Sequence, residues 1–187
     1  MLRVPSPPVP LVNRWARVVL AVVVAIVGGA CSSGSDAPPR EPTAAEVEAA
    51  AHDYLKTVRA EVVSVMVKDG HLGLYVRGVP EWPLDTFVDQ LPVAVETARS
   101  MLERWPALAD VDICGDGPWL PHPNGAKFVP AVRVQVFRDR LPRMPDKVAT
   151  PADVMRAGGT DRSLDYFLEP RIVAESASYR AARAAYR

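Results

Sequence analysis

The chain is short of the residues that build most catalytic and metal sites. It has two cysteines, Cys31 and Cys114, and three histidines, at positions 52, 71 and 122. No spacing among them matches a ligand set, so no zinc or other metal site is expected. Asp110, Asp112 and Asp116 resemble a calcium loop only loosely: the fifth position of such a loop would be Cys114, and the glycine is misplaced. Aromatic residues make up 7% of the chain and the formal net charge is zero. A protein without excess positive charge lacks the means of general nucleic-acid binding, which rests on neutralising phosphates. There is no internal repeat and no catalytic, cofactor-binding or nucleic-acid motif. No cofactor is therefore expected. Also missing is an unbroken apolar run of the roughly 20 residues needed to cross a bilayer.

The most informative stretch present is at the N-terminus. Residues 1–17 are Pro-rich and hold Arg3, Arg14 and Arg17. The apolar run Val18–Val27 comes next, then Gly28-Gly29-Ala30-Cys31 and a polar Ser-Ser-Gly-Ser-Asp. A positive n-region, a short apolar stretch and small residues before a cut form the pattern of a cleaved secretory signal over residues 1–30. The positive charge keeps the N-terminus in the cytoplasm and sends the downstream chain outward.

Gly28-Gly29-Ala30-Cys31 resembles the lipobox of bacterial lipoproteins. The resemblance covers the signal region alone, and Gly28 stands where that pattern usually has Leu or Val. It implies acylation of the Cys31 sulfur and a lipid-anchored protein at the cell membrane, facing the extracytoplasmic side. Gly28 and Ala30 also suit ordinary signal peptidase cleavage after Ala30, which would release a secreted protein. With Cys31 acylated, Cys114 has no intramolecular partner. The zero net charge divides unevenly, because residues 1–30 carry three arginines and no acid. The remainder of the chain is slightly acidic. Residues 31–43 form the linker: Ser32–Thr43 is polar, with three prolines and one glycine, and reads as a disordered tether spanning about 20 Å on average.

Residues 44–187 are enough for a single domain that needs no metal or disulfide to fold. Thr43 with Glu46 forms a capping-box pattern, and Val47, Ala51, Tyr54 and Val58 recur at helical spacing, which predicts a helix over 44–59. Asp69-Gly70 is suited to a type I′ turn. The hairpin it predicts sets Val67 opposite Leu72, Val65 opposite Leu74 and Val63 opposite Val76 on one apolar face. Asp85 is a candidate cap for a short helix, and a second helix is predicted over 92–105. Ala109–Gly115 and Ala131–Phe137 alternate as strands. Thr150-Pro151 opens a short helix ending at Gly158-Gly159. Residues 160–174 are ambiguous, with Tyr166-Phe167-Leu168 a strand or a packed loop, and Glu175–Arg187 reads as an Ala-rich helix. The order α-β-β-α-β-β-α-α predicts an α+β fold: a four-stranded, mainly antiparallel sheet with helices packed on one face.

The other sheet face then carries the candidate site. Alternation places Met66, Tyr75, Arg77, Cys114, Arg133, Gln135 and Phe137 there. Tyr75, Arg77, Arg133 and Phe137 form a possible binding face for an envelope protein or a small-molecule ligand. The bland reading is that residues 160–187 or the 115–130 loop cover this face and that its arginines are ordinary solvent charges. Cys114 would need a base to act as a nucleophile, and no sequence spacing sets His71 or His122 beside it. It reads as an inert thiol. Arg180, Arg183 and Arg187 form a cationic stripe at the end of the last helix, suited either to its dipole or to an anionic surface. The functional expectation is a lipid-anchored binding or accessory module without chemistry of its own. The alternative is an envelope enzyme, such as a hydrolase, using the 115–130 loop.

Overall fold

The computed structural model describes residues 39–121 and 125–186. The expected signal peptide, Cys31, most of the linker, His122 and Arg187 lie outside them. Among the described residues no helix is long and apolar enough to cross a membrane.

The first helical stretch begins as its capping box dictates. Thr43 Oγ1 accepts from the Glu46 amide, and the Glu46 carboxylate accepts from the Thr43 amide. Arg40 reaches the same carboxylate. The expected single helix is two short ones, α1 (Ala44–Ala50) and α2 (His52–Val58), joined at Ala51 and ended by Arg59 at φ 53°. Val47, Ala51, Tyr54 and Val58 all face the core.

Strands β1 (Ala60–Lys68) and β2 (His71–Gly78) form the hairpin. Asp69 and Gly70 both have positive φ, 53° and 79°, as a type I′ turn demands. Val67 faces Leu72 and Val65 faces Leu74, as the pattern predicts. The register then shifts between Val62 and Ser64, so Val62, and not Val63, lies opposite Val76. β1 is an edge strand, and one extra residue there twists it without disturbing a second ladder.

Helices α3 (Leu84–Asp89) and α4 (Leu91–Arg104) cross over to β3 (Asp110–Asp116), which runs parallel to β2. β4 (Pro130–Phe137) returns antiparallel to β3. A 3-10 turn at Arg138–Arg143 and helix α5 (Pro151–Gly159) lead to β5 (Leu164–Leu168), antiparallel to β4. Helices α6 (Pro170–Glu175) and α7 (Ala177–Tyr186) complete the described chain.

The fold is α+β, and the sheet is mixed and five-stranded in the order β1-β2-β3-β4-β5. The strand beyond the expected four is β5. It is only five residues long, with Leu164 and Leu168 inward and Asp165 and Phe167 outward, too short a pattern to separate from a packed loop. The expected last helix over Glu175–Arg187 is broken at Ser176. The Ser176 hydroxyl donates to Asp85 and accepts from the Tyr179 amide, which starts α7 anew. Asp85 thus helps cap α7, where the sequence suggested a cap for its own helix. Pro83 holds that position instead.

One face of the sheet supplies Leu72, Leu74, Val76, Val111, Ile113, Val134 and Val136 to a core shared with Val47, Phe87, Leu91 and Leu102 from the helices. Each such fully buried aliphatic or aromatic side chain contributes about 1.5–3 kcal/mol. Arg138 closes the end of α4: its guanidinium donates to the carbonyls of Leu102, Trp105 and Leu108. The Leu102 carbonyl is one of those that a helix terminus otherwise leaves without a partner, and the other two belong to the turn that follows.

The start of α1 has a testable acid dependence. Hydrogen bonding from Arg40, supported by Thr43, holds the Glu46 carboxyl down at about 2. In the unfolded chain it titrates near 4.3. A carboxylate with a depressed folded pKa stabilises above the unfolded value and ceases to do so as pH falls through the folded one. The stability difference between wild type and Glu46→Gln should therefore be full at about pH 6 and shrink between about 4.3 and 2. Urea denaturation across that range measures it.

Candidate functional site

The face of the sheet opposite the core carries no helix among the described residues. α1 and α2 lie against β1, α4 against β3 and β4, and α5 against β5, all contributing to the apolar side. Residues 160–187 do not cover the open face. They supply β5 as its far edge, while α7 packs with α3 and α5. The described residues of the loop after β3 reach this face at two places: Phe128 meets Tyr75 edge-on at 5.1 Å, and the Lys127 carbonyl accepts from Arg77 at 2.8 Å.

The structure gathers Tyr75, Arg77, Arg133 and Phe137 on this face, with Met66, Cys114 and Gln135. Tyr75 is paired across to Cys114, and Cys114 to Arg133. Gln135 stands opposite Asp112, and Phe137 opposite Asp110. The Tyr75 ring lies over Gly73, where a Cβ would come within 2.9 Å of it. A side chain at 73 would displace the ring.

The two arginines are more than solvent charges. Arg133 Nε donates to Asp112 Oδ2 at 2.8 Å, and its second arm reaches Gln135 Oε1 at 2.7 Å. Arg77 holds Asp116 Oδ2 with Nε at 2.7 Å and with a terminal nitrogen at 2.6 Å. Asp112 and Asp116 are buried, at 4% and 1% exposure. His71 Nδ1 lies 2.6 Å from Asp110 Oδ1, which also accepts from Gln135 at 2.9 Å. The three carboxylates of β3 thus each have a partner from a neighbouring strand. The sequence shows these aspartates on the Arg133 side of β3 by alternation alone, a signal sufficient to pair them.

Around this polar row stand apolar side chains without cover. Phe167 is 45% exposed and Met66 42%. Phe137 lies half-buried, with the Arg140 guanidinium 4.0 Å above its ring. At one end of the face a cavity of about 270 Å³ opens between Arg77, Asp116, Trp82 and Pro118. Phe167 and Trp82 were not among the expected site residues: Phe167 falls in the ambiguous segment, and Trp82 in what the sequence marks only as a turn.

Among the described residues no histidine base stands beside the Cys114 thiol. Cys114 is buried, and its thiol is pushed up by desolvation and by Asp112, to which Sγ donates at 3.4 Å. His71 has its Nδ1 on Asp110, away from the thiol. No cluster of three or more metal-ligating side chains occurs among the described residues. On α7, Arg180 donates to the carbonyls of Ala174 and Glu175 at the end of α6, and Arg183 donates to the Tyr179 hydroxyl one turn earlier.

No protein-family model, curated protein or solved structure matches this chain. The face must therefore be read from its own chemistry.

Two outcomes are expected for its residues. Arg77→Ala removes the guanidinium from the buried Asp116 and should destabilise by about 1–3 kcal/mol, measured by urea unfolding. Cys114 should resist a thiol-specific disulfide reagent at mildly alkaline pH in the native protein and react fully once the chain is unfolded. Rapid labelling of native protein would show an accessible thiolate instead.

Proposed function

We propose that the chain is a lipid-anchored extracytoplasmic protein whose domain binds an envelope protein or a small ligand on its helix-free sheet face. The observation that carries the binding reading is that face itself. Five strands contribute to it, the loop after β3 reaches it at two places, and Phe167 and Met66 remain exposed beside it. Large apolar side chains left uncovered near a fixed polar row are a common signature of interaction surfaces. The anchor reading rests on Arg14, Arg17, the run Val18–Val27 and Gly28-Gly29-Ala30-Cys31. Among the described residues the hydrolase alternative finds no set of converging titratable groups: the 115–130 loop supplies Phe128 and a Lys127 carbonyl to the sheet, and burial pushes the nearby thiol up.

Mass spectrometry of the mature protein from envelope membranes tests the anchor. A diacyl or triacyl mass on Cys31 is expected, with Cys31→Ala leaving the membrane fraction. Unmodified wild-type protein in the medium rejects the anchor. Cross-linking in intact envelopes tests the face. Phe167→Asp should abolish an adduct that Val173→Asp retains, since Val173 is 38% exposed on α6, away from the face. Equal loss from both variants, or from neither, removes the face from the binding role.

A further inference from the structure

A second place in the fold differs from the sheet face in a way that points to a ligand. On the open face each carboxylate of β3 is matched by a partner. Around the other side of Trp82 the opposite holds. A cavity of about 490 Å³ lies between the end of α2, the Val79–Pro83 turn and the start of α4. That volume falls within the ordinary range for small-molecule sites.

Its base is apolar and fixed. The Trp82 indole N–H donates to the Val58 carbonyl at 2.7 Å, which locks the ring against α2. Phe87 meets the same ring edge-on at 5.2 Å. Val58 and Val93 extend the apolar wall. The charged side chains on the lining are uncommitted. Arg59, Glu81 and Asp89 make no side-chain hydrogen bond or ion pair with another described residue. Gln90 is the most telling part of the lining. The residue is only 4% exposed and its Oε1 accepts from the Tyr54 hydroxyl at 2.6 Å, which fixes the amide plane, while its NH2 has no partner among the described residues and is open to solvent. A donor held in place by its own oxygen and left open to solvent is available to an acceptor that enters the cavity.

The chemistry of the lining selects among ligands. Two carboxylates against one guanidinium disfavour an anion. A simple cation would leave both Arg59 and the Gln90 amide unmatched. The lining asks for a molecule whose polar groups both donate and accept, and which presents an apolar surface to Trp82. A pyranose ring does this: its hydroxyls donate to carboxylates and accept from amide and guanidinium, and its C–H face packs on an indole edge.

We propose that the cavity between Trp82, Gln90, Glu81 and Asp89 binds a sugar ring of a neutral saccharide. The site is independent of the lipid anchor, and it shares Trp82 and Glu81 with the smaller cavity at the end of the sheet face.

The test uses the full chain, purified in detergent, and titration calorimetry with maltotetraose, cellotetraose and chitotetraose, each to millimolar concentration. An uncharged tetrapeptide serves as the competing class. Saturable binding of at least one saccharide is expected. Glu81→Gln and Asp89→Asn should each weaken it by about tenfold or more, the scale of one hydrogen bond to a charged group. Both positions are exposed and both changes keep the shape of the side chain, so thermal unfolding should be unmoved. Absence of binding by all three saccharides overturns the proposal, as does binding that both variants retain. Binding of the tetrapeptide alone assigns the cavity to a peptide and also overturns it. Failure here leaves the Cys31 and Phe167 results as they stand, and the reverse holds too.

Discussion

Strand β3 imposes the constraint to which the rest of the domain answers. Its alternate side chains have opposite requirements: Val111 and Ile113 must leave water, while Asp112 and Asp116 are carried to low exposure on the other side. A carboxylate so placed is costly unless a donor reaches it. β2 and β4 meet that demand from either flank, with Arg77 on Asp116 and Arg133 on Asp112. A slip of one residue in either neighbour would turn these arginines toward the core and the valines toward water. Register is therefore specified twice, by apolar burial on one side and by ion pairing on the other. The parallel pairing of β2 and β3 depends on the same constraint, since only a crossover through α3 and α4 brings the two strands side by side in that direction.

Much of this was legible in the residues. The turn at Asp69-Gly70 needs two positive φ values, and the sequence supplies residues that tolerate them. Thr43 with Glu46 announces a helix start, and Thr150-Pro151 another. The features that escaped the sequence did so for local reasons. The bulge at Val62/Ser64 occurs within a run of valines, where either neighbour satisfies the apolar pattern equally well. β5 is too short for its alternation to stand out. The break at Ser176 depends on Asp85, a residue far away in the chain, so no window around Ser176 contains its cause. At the site, Tyr75, Arg77, Arg133 and Phe137 could be placed by alternation. Trp82 could not, because a turn has no period from which to read a direction.

The two polar regions differ in how fully their hydrogen-bonding capacity is used. The β3 aspartates and their partners make a preorganised surface, stiff because each member is held by another. Such a surface can orient a partner through shape and exposed aromatics, with little rearrangement of its own charges. The cavity beside Trp82 has a rigid apolar base and free polar side chains above it. Only the second arrangement leaves donors and acceptors to be exchanged for those of an incoming molecule.

The contact between Glu41 and the Gly70 amide has a bearing on geometry. It ties the chain ahead of α1 to the tip of the β1–β2 hairpin. The Trp82 cavity lies beyond the opposite end of β2, the length of an eight-residue strand away, about 26 Å at the usual rise. The described chain ahead of α1 is thus fixed at one end of β2, and the cavity lining lies at the other. A load applied to the backbone at Glu41 would reach the hairpin turn first, as a mooring line bears on its cleat, a strand's length from the lining of the cavity.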